Sequence, residues 1–216
     1  MPAVHFAIAV IPVAVYLFLI GVLRLRTRPL VTTGWRDTLT LGIAASGLIA
    51  LGPMQLFFPA QAAARWHAWV WLALFALYAL GLMMLLLSCK PRLIAYGMDD
   101  TQFTESLLRA AQEVDEQAYW SGDVLSLPSA LIQLAIEPSG SARVHQVVLV
   151  GMLRNLTKWL ELERAFVRSG SQTTCPRSNA GWPFTLIGLL LFAWAIIPLV
   201  SDPNQALAQL RDFLAP

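Results

Sequence analysis

Four long apolar blocks without a charged residue organise this chain: 3–23, 39–58, 68–87 and 182–200. Each holds about 20 residues, and at about 1.5 Å rise per residue each is long enough to cross a hydrocarbon layer of about 30 Å. The pattern predicts four transmembrane helices. Arginines follow the first block instead of preceding it, so it is expected to stay in place as an anchor and not to be removed as a signal peptide.

Between the third and fourth blocks the periodicity changes. Residues 91–172 form the one long polar stretch, expected to fold as a small domain of its own. Arg92–Gly97 reads as a strand. Asp99 and Asp100 are N-cap candidates for a helix over Thr101–Glu116, in which Phe103, Leu107, Leu108, Ala111 and Val114 recur at helical spacing. Ala118–Trp120 and Val124–Leu127 flank Ser121-Gly122-Asp123 as a tight hairpin, and Ala130–Glu137 and Arg143–Val150 read as further strands around a turn at Pro138–Ser141. Leu153, Leu156, Trp159, Leu160 and Phe166 mark a second amphipathic helix over Met152–Val167. The fold class is therefore a four-helix membrane protein carrying a small α+β insert, whose element order is closest to the ferredoxin-like arrangement. Residues 173–181, rich in Ser, Thr, Asn and Pro, form a linker. The tail, 201–216, opens on Ser201-Asp202-Pro203 and continues as an amphipathic helix. It is expected either on the outer membrane surface or against the loop before the third span.

Composition agrees with this division. Of the 216 residues, 57% are hydrophobic and 13% charged, and the mean hydropathy is +0.61. An ordinary soluble domain carries about 25% charged residues. A net charge of +2, with no basic run, excludes nucleic acid as a partner. The placement of charge tells more than its sum. Arg24, Arg26, Arg28, Arg36, Lys90, Arg92 and Arg177 flank the spans on one side, against Arg65 and Arg211 on the other. The positive-inside rule then places both termini outside and 88–181 in the cytoplasm. The economical loops suggest a bacterial inner membrane. Trp35, Trp66, Trp69 and Trp182 sit at span ends, where indole rings anchor at the interface.

None of the spans contains Asp, Glu, Lys or Arg, the groups that proton relays and ion paths use. Gly42, Ser46, Gly47 and Ala50 give the second span a small-residue surface for close helix packing, and Pro53 predicts a kink there. Candidate chemistry in the polar segment is scattered. Asp99-Asp100 could bind a cation but fits a helix cap better, and Glu113, Asp115 and Glu116 make an acidic helix end that opposes the helix dipole. His145 stands alone in a strand, expected partly exposed. His5 and His67 share the outer side, and Cys89 and Cys175 flank the insert as reduced thiols. No catalytic, cofactor or metal motif occurs, so the sequence names no cofactor and points away from an enzyme. The expected function is a non-catalytic subunit or scaffold. Its partners would be the lipid bilayer, other membrane helices, a cytoplasmic protein or a second copy of itself. The alternative is a small oligomeric transporter or channel lined by Thr40, Ser46, Gln55 and Tyr78.

Overall fold

A computed structural model describes residues 3–59, 65–66, 69–138, 143–175 and 179–214. The turn at 139–141, His67 and Arg177 lie outside the described residues. The chain divides into two compact units, one of apolar helices and one built on a sheet.

In the helical unit, α1 (Ala3–Leu25), α2 (Gly34–Ile49), α3 (Trp69–Ser88) and α6 (Trp182–Ser201) supply four segments long and apolar enough to cross a membrane. Their outer surfaces are greasy: Leu72, Leu80, Met84, Leu190 and Trp194 are all exposed. That is the surface a lipid solvent requires and water disfavours. Helix contacts are made through small residues. A Cβ on Gly47 would strike the Ile8 carbonyl oxygen of α1, and one on Gly42 would strike the Leu82 side chain of α3. Gly188 of α6 lies equally close to Ala14 and Phe18 of α1. The Tyr78 hydroxyl donates to the Gly42 carbonyl at 2.6 Å, joining α3 to α2.

The second span starts at Gly34, earlier than hydropathy predicts, and passes into a π-helical turn over Ala50–Met54. Pro53 lies inside that turn. It has no N–H to give the α-helical ladder, and widening the turn accommodates the loss. The tail forms α7 (Pro203–Leu214). Phe213 stacks on Trp71 with ring centroids 4.3 Å apart, and the Trp71 indole donates to the Phe213 carbonyl at 3.1 Å. Gln209 accepts from the Val4 amide. The tail thus packs against the first turns of α1 and α3.

The second unit is a six-stranded, wholly antiparallel sheet in the order β1-β2-β6-β5-β4-β3. Its strands are β1 (Leu30–Thr33), β2 (Arg92–Tyr96), β3 (Tyr119–Ser121), β4 (Val124–Leu127), β5 (Ile132–Glu137) and β6 (Val144–Leu149). Two helices, α4 (Asp100–Val114) and α5 (Leu156–Gln172), complete it. Alternation along the strands sends Leu93, Ala95, Leu125, Leu127, Ile132, Leu134, Val147 and Leu149 into one core with Phe103, Leu107, Leu162 and Phe166 of the helices.

Two features differ from the sequence expectation. First, β1 comes from the arginine-rich connection between the first two spans, and Leu30–Thr33 pair with Tyr96–Leu93 of β2. Second, β3 to β6 run as a meander of neighbours. A ferredoxin-like split βαβ unit leaves a single strand between the two strands that flank its helix, whereas β4, β5 and β6 separate β2 from β3, the strands joined through α4. Short turns hold consecutive strands side by side here, Gly122 (φ +62°) making the β3–β4 turn.

Replacing Gly47 with Leu is expected to push α1 off α2 and lower the thermal midpoint of the protein in detergent. Gly81→Leu, at a site with open space around it, is expected to leave the midpoint unchanged. Light scattering during a temperature ramp measures both.

Candidate functional site

The residues singled out for chemistry converge at the start of α4. Asp99 caps the helix, with its amide donating to Gln102 Oε1 at 3.4 Å. Arg143, entering β6, reaches Asp99 at 3.7 Å. His145 is buried, where partial exposure was expected, because its strand position faces the core. Its Nε2 lies 3.1 Å from the Met98 carbonyl oxygen. Its Nδ1 lies 3.2 Å from an Asp100 carboxylate oxygen. The ring packs against Phe103.

Cys175 comes in from beyond α5. Its thiol donates to Gln102 Oε1 at 3.1 Å, and its amide donates to the Thr27 carbonyl at 2.9 Å. Gln102 donates to the Thr174 carbonyl, Ser106 and Thr173 share a hydroxyl contact, and Ser169 donates to the Ser106 carbonyl. The expected linker is thus fastened through Cys175.

By residue type, a cysteine, a histidine and two carboxylates are a nucleophile's toolkit. Their wiring serves another purpose. Burial raises the Cys175 pKa; Asp99 raises it further and Arg143 lowers it, with a net upward shift. The group is a thiol, not a thiolate, and its hydrogen is engaged. Among the described residues no hydrogen bond joins Cys175 to His145, and no three His, Cys, Asp or Glu are placed to hold a metal. The cluster is a clasp that ties the end of α5, the start of α4 and the α1–β1 connection together.

Asp115, grouped in the sequence with Glu113 and Glu116 as an acidic helix end, turns inward at the C-cap of α4 and is buried. It accepts from the Gln117 amide at 3.0 Å and the Ser129 amide at 2.8 Å. Burial raises its pKa, but hydrogen bonds from Gln117, Ser129 and Ala130 outweigh that and hold it below the ordinary value. The residue therefore fastens the β4–β5 turn. Its neighbour Glu113 points outward and pairs with Arg168 of α5 at 3.1 Å. Around that pair Arg36, Glu161, Glu163 and Arg164 line an open cleft of about 760 Å³ with charges of both signs.

The remaining predicted residues lie elsewhere. Gly42, Ser46, Gly47 and Ala50 belong to the helical unit. Ala50 is buried beside Met54 and Trp71, and the Ser46 hydroxyl donates to the Ile43 carbonyl. Trp35, Trp66, Trp69 and Trp182 are all exposed, and the Arg36 guanidinium lies 5.3 Å from the Trp35 ring centre. His5 packs edge-on against Phe213. Gln102 and the inward turn of Asp115 were missed, because a polar residue inside an amphipathic helix carries no mark of its tertiary partner. Compared with protein families, curated proteins and solved structures, the chain matches none.

Two measurements follow from these bonds. Maleimide labelling in detergent should modify the half-buried Cys89 rapidly and buried Cys175 only after denaturation; equal rates would contradict the clasp. Asp115→Ala should cost about 1–3 kcal/mol by leaving two amides without their acceptor. In the native protein the lowered pKa means that the unfolded chain takes up the proton first on acidification. This stabilisation is whole above about pH 4 and fades as pH falls through the folded value. Unfolding curves between acid and neutral pH, compared with those of Asp115→Asn, measure that slope.

Proposed function

We propose that the chain is a non-catalytic membrane subunit or scaffold, crossing the bilayer four times, with both termini outside and 88–181 in the cytoplasm. Its sheet domain binds a protein partner or a second copy of the chain. The observation that carries this reading is the charged cleft on α4 and α5. Arg36, Arg164 and Arg168 alternate there with Glu113, Glu161 and Glu163 on an open surface. A rigid helix pair with interspersed charge suits a complementary polar partner, whose own charges would set register and specificity.

The polar groups of the spans lean the same way. The Tyr78 hydroxyl of α3 donates to the Gly42 carbonyl of α2, which supports helix pairing over the lining of a channel.

Purification of the full chain in mild detergent, with mass measured by light scattering and companions identified by mass spectrometry, tests the proposal. A stoichiometric companion or a defined oligomer is expected, and Arg164→Glu with Arg168→Glu should dissociate it while leaving the thermal midpoint near that of the parent. A monomer with no companion, in detergent and in native membranes alike, would contradict it.

A further inference from the structure

One end of the sheet carries a cluster of exposed apolar side chains. The start of β3, the β4–β5 turn and the β6–α5 connection supply Tyr119, Leu131, Val150 and Met152, which are 54%, 63%, 46% and 88% exposed. They border a cleft of about 470 Å³, and Arg154 lies on its rim. Leu156 follows, also exposed. Water disfavours so many large apolar groups side by side, and such a cluster marks a contact surface.

The cluster is held in place by the fold. Leu131 has φ +55°, a left-handed conformation that costs a leucine about 1–2 kcal/mol. The turn is pinned by Asp115 accepting from Ser129 and by Leu131 donating to the Pro128 carbonyl at 3.2 Å.

Chain connectivity limits what can lie opposite. Only Cys89, Lys90 and Pro91 separate α3 from β2, a reach of at most about 14 Å from Ser88 to Arg92. Pro91 belongs to this same end of the sheet, since the Leu149 amide donates to its carbonyl and the next amide, Val150, donates to Gln133. The apolar cluster thus starts one strand away from the residue that leads out of a membrane-length helix. Its charge is one-sided as well: 124–136 and 144–157 contain no Asp or Glu while Arg154 is present, and the next basic residue, Lys158, is paired with Glu161 at 2.8 Å. Anionic headgroups attract such a surface by about 1 kcal/mol per basic residue.

We infer that this end of the sheet is a membrane-surface contact, with Leu131, Val150 and Met152 entering the headgroup region of a leaflet and Arg154 meeting its anionic lipids. The inference rests on the spanning reading above and adds a lipid-facing surface separate from the charged cleft.

The test uses the full chain reconstituted in vesicles, in a Cys89→Ser background, with an environment-sensitive fluorophore on Met152→Cys. Exposure of Met152 makes that substitution harmless to the fold. Glu137→Cys is the control, since β5 runs from Ile132 at the apolar end to Glu137 about 17 Å away. Lipids with a nitroxide near the glycerol backbone are expected to quench the label at 152 several-fold more than at 137. Quenching should be stronger in phosphatidylglycerol-containing vesicles than in pure phosphatidylcholine, and Arg154→Glu should remove that difference. Equal quenching at 152 and 137 overturns the inference, and so does quenching at 152 that ignores both lipid charge and Arg154→Glu. A separate label at Leu80→Cys reports on the span. If deep-lying nitroxides fail to quench it, the spanning reading fails instead.

Discussion

The pairing of β1 with β2 is the constraint from which the rest of the domain follows. Leu30–Thr33 and Arg92–Tyr96 are separated in sequence by two membrane-length helices, yet they form adjacent rungs of one antiparallel ladder. The sheet therefore takes one of its strands from outside 91–172. With β1 in place, Val31 packs onto the core and fills the space left by Gly170 of α5, and β2 acquires hydrogen-bond partners on both edges. An unpaired β2 edge would be a site for adventitious strand pairing. The pairing also makes the domain depend on long-range contact formation, which is slow compared with local helix closure.

The polar groups near the core show the same economy. Buried hydrogen-bonding groups must find partners, and here the partners come from segments that would otherwise be loose. Cys175 and Thr174 are held on Gln102, Thr27 accepts from Cys175, and Ser129 is held on Asp115. Residue types associated with catalysis are in this way used to close the domain. What remains on the surface is of two kinds, a cleft of alternating charge on the helices and an apolar end of the sheet. These two surfaces differ in chemistry and lie on different parts of the domain.

Much of the architecture was legible in the sequence because oil and water sort residues by period. The first apolar block, read as 3–23, forms Ala3–Leu25, and the fourth, read as 182–200, forms Trp182–Ser201. The hairpin around Gly122 and the apolar face of α4 were equally plain. The helix of the second span starts at Gly34, ahead of the apolar block 39–58, because Trp35, Arg36 and Asp37 are helical without being greasy; hydropathy measures solvent preference, not helix. β1 escaped because four residues behind a cluster of arginines carry too short an alternation to read, although Val31-Thr32-Thr33 is a β-branched run. The clasp was visible only as separate suspects. The Asp99-Asp100 pair, His145 and Cys175 stand far apart in the chain, and nothing in their spacing says that α4 and β6 bring them together. Asp115 stood out in the sequence only as part of an acidic helix end, and its bonds to two amides appear only in three dimensions.

The pairing of β1 with β2 can be measured directly by amide hydrogen exchange of the full chain in lipid nanodiscs. Peptides covering 30–33 should be protected together with those covering 92–96 and should lose protection in the same step as denaturant is raised. Exchange of 30–33 at the rate of an unstructured loop, while 92–96 stay protected, would contradict a sheet built from both sides of the second and third spans.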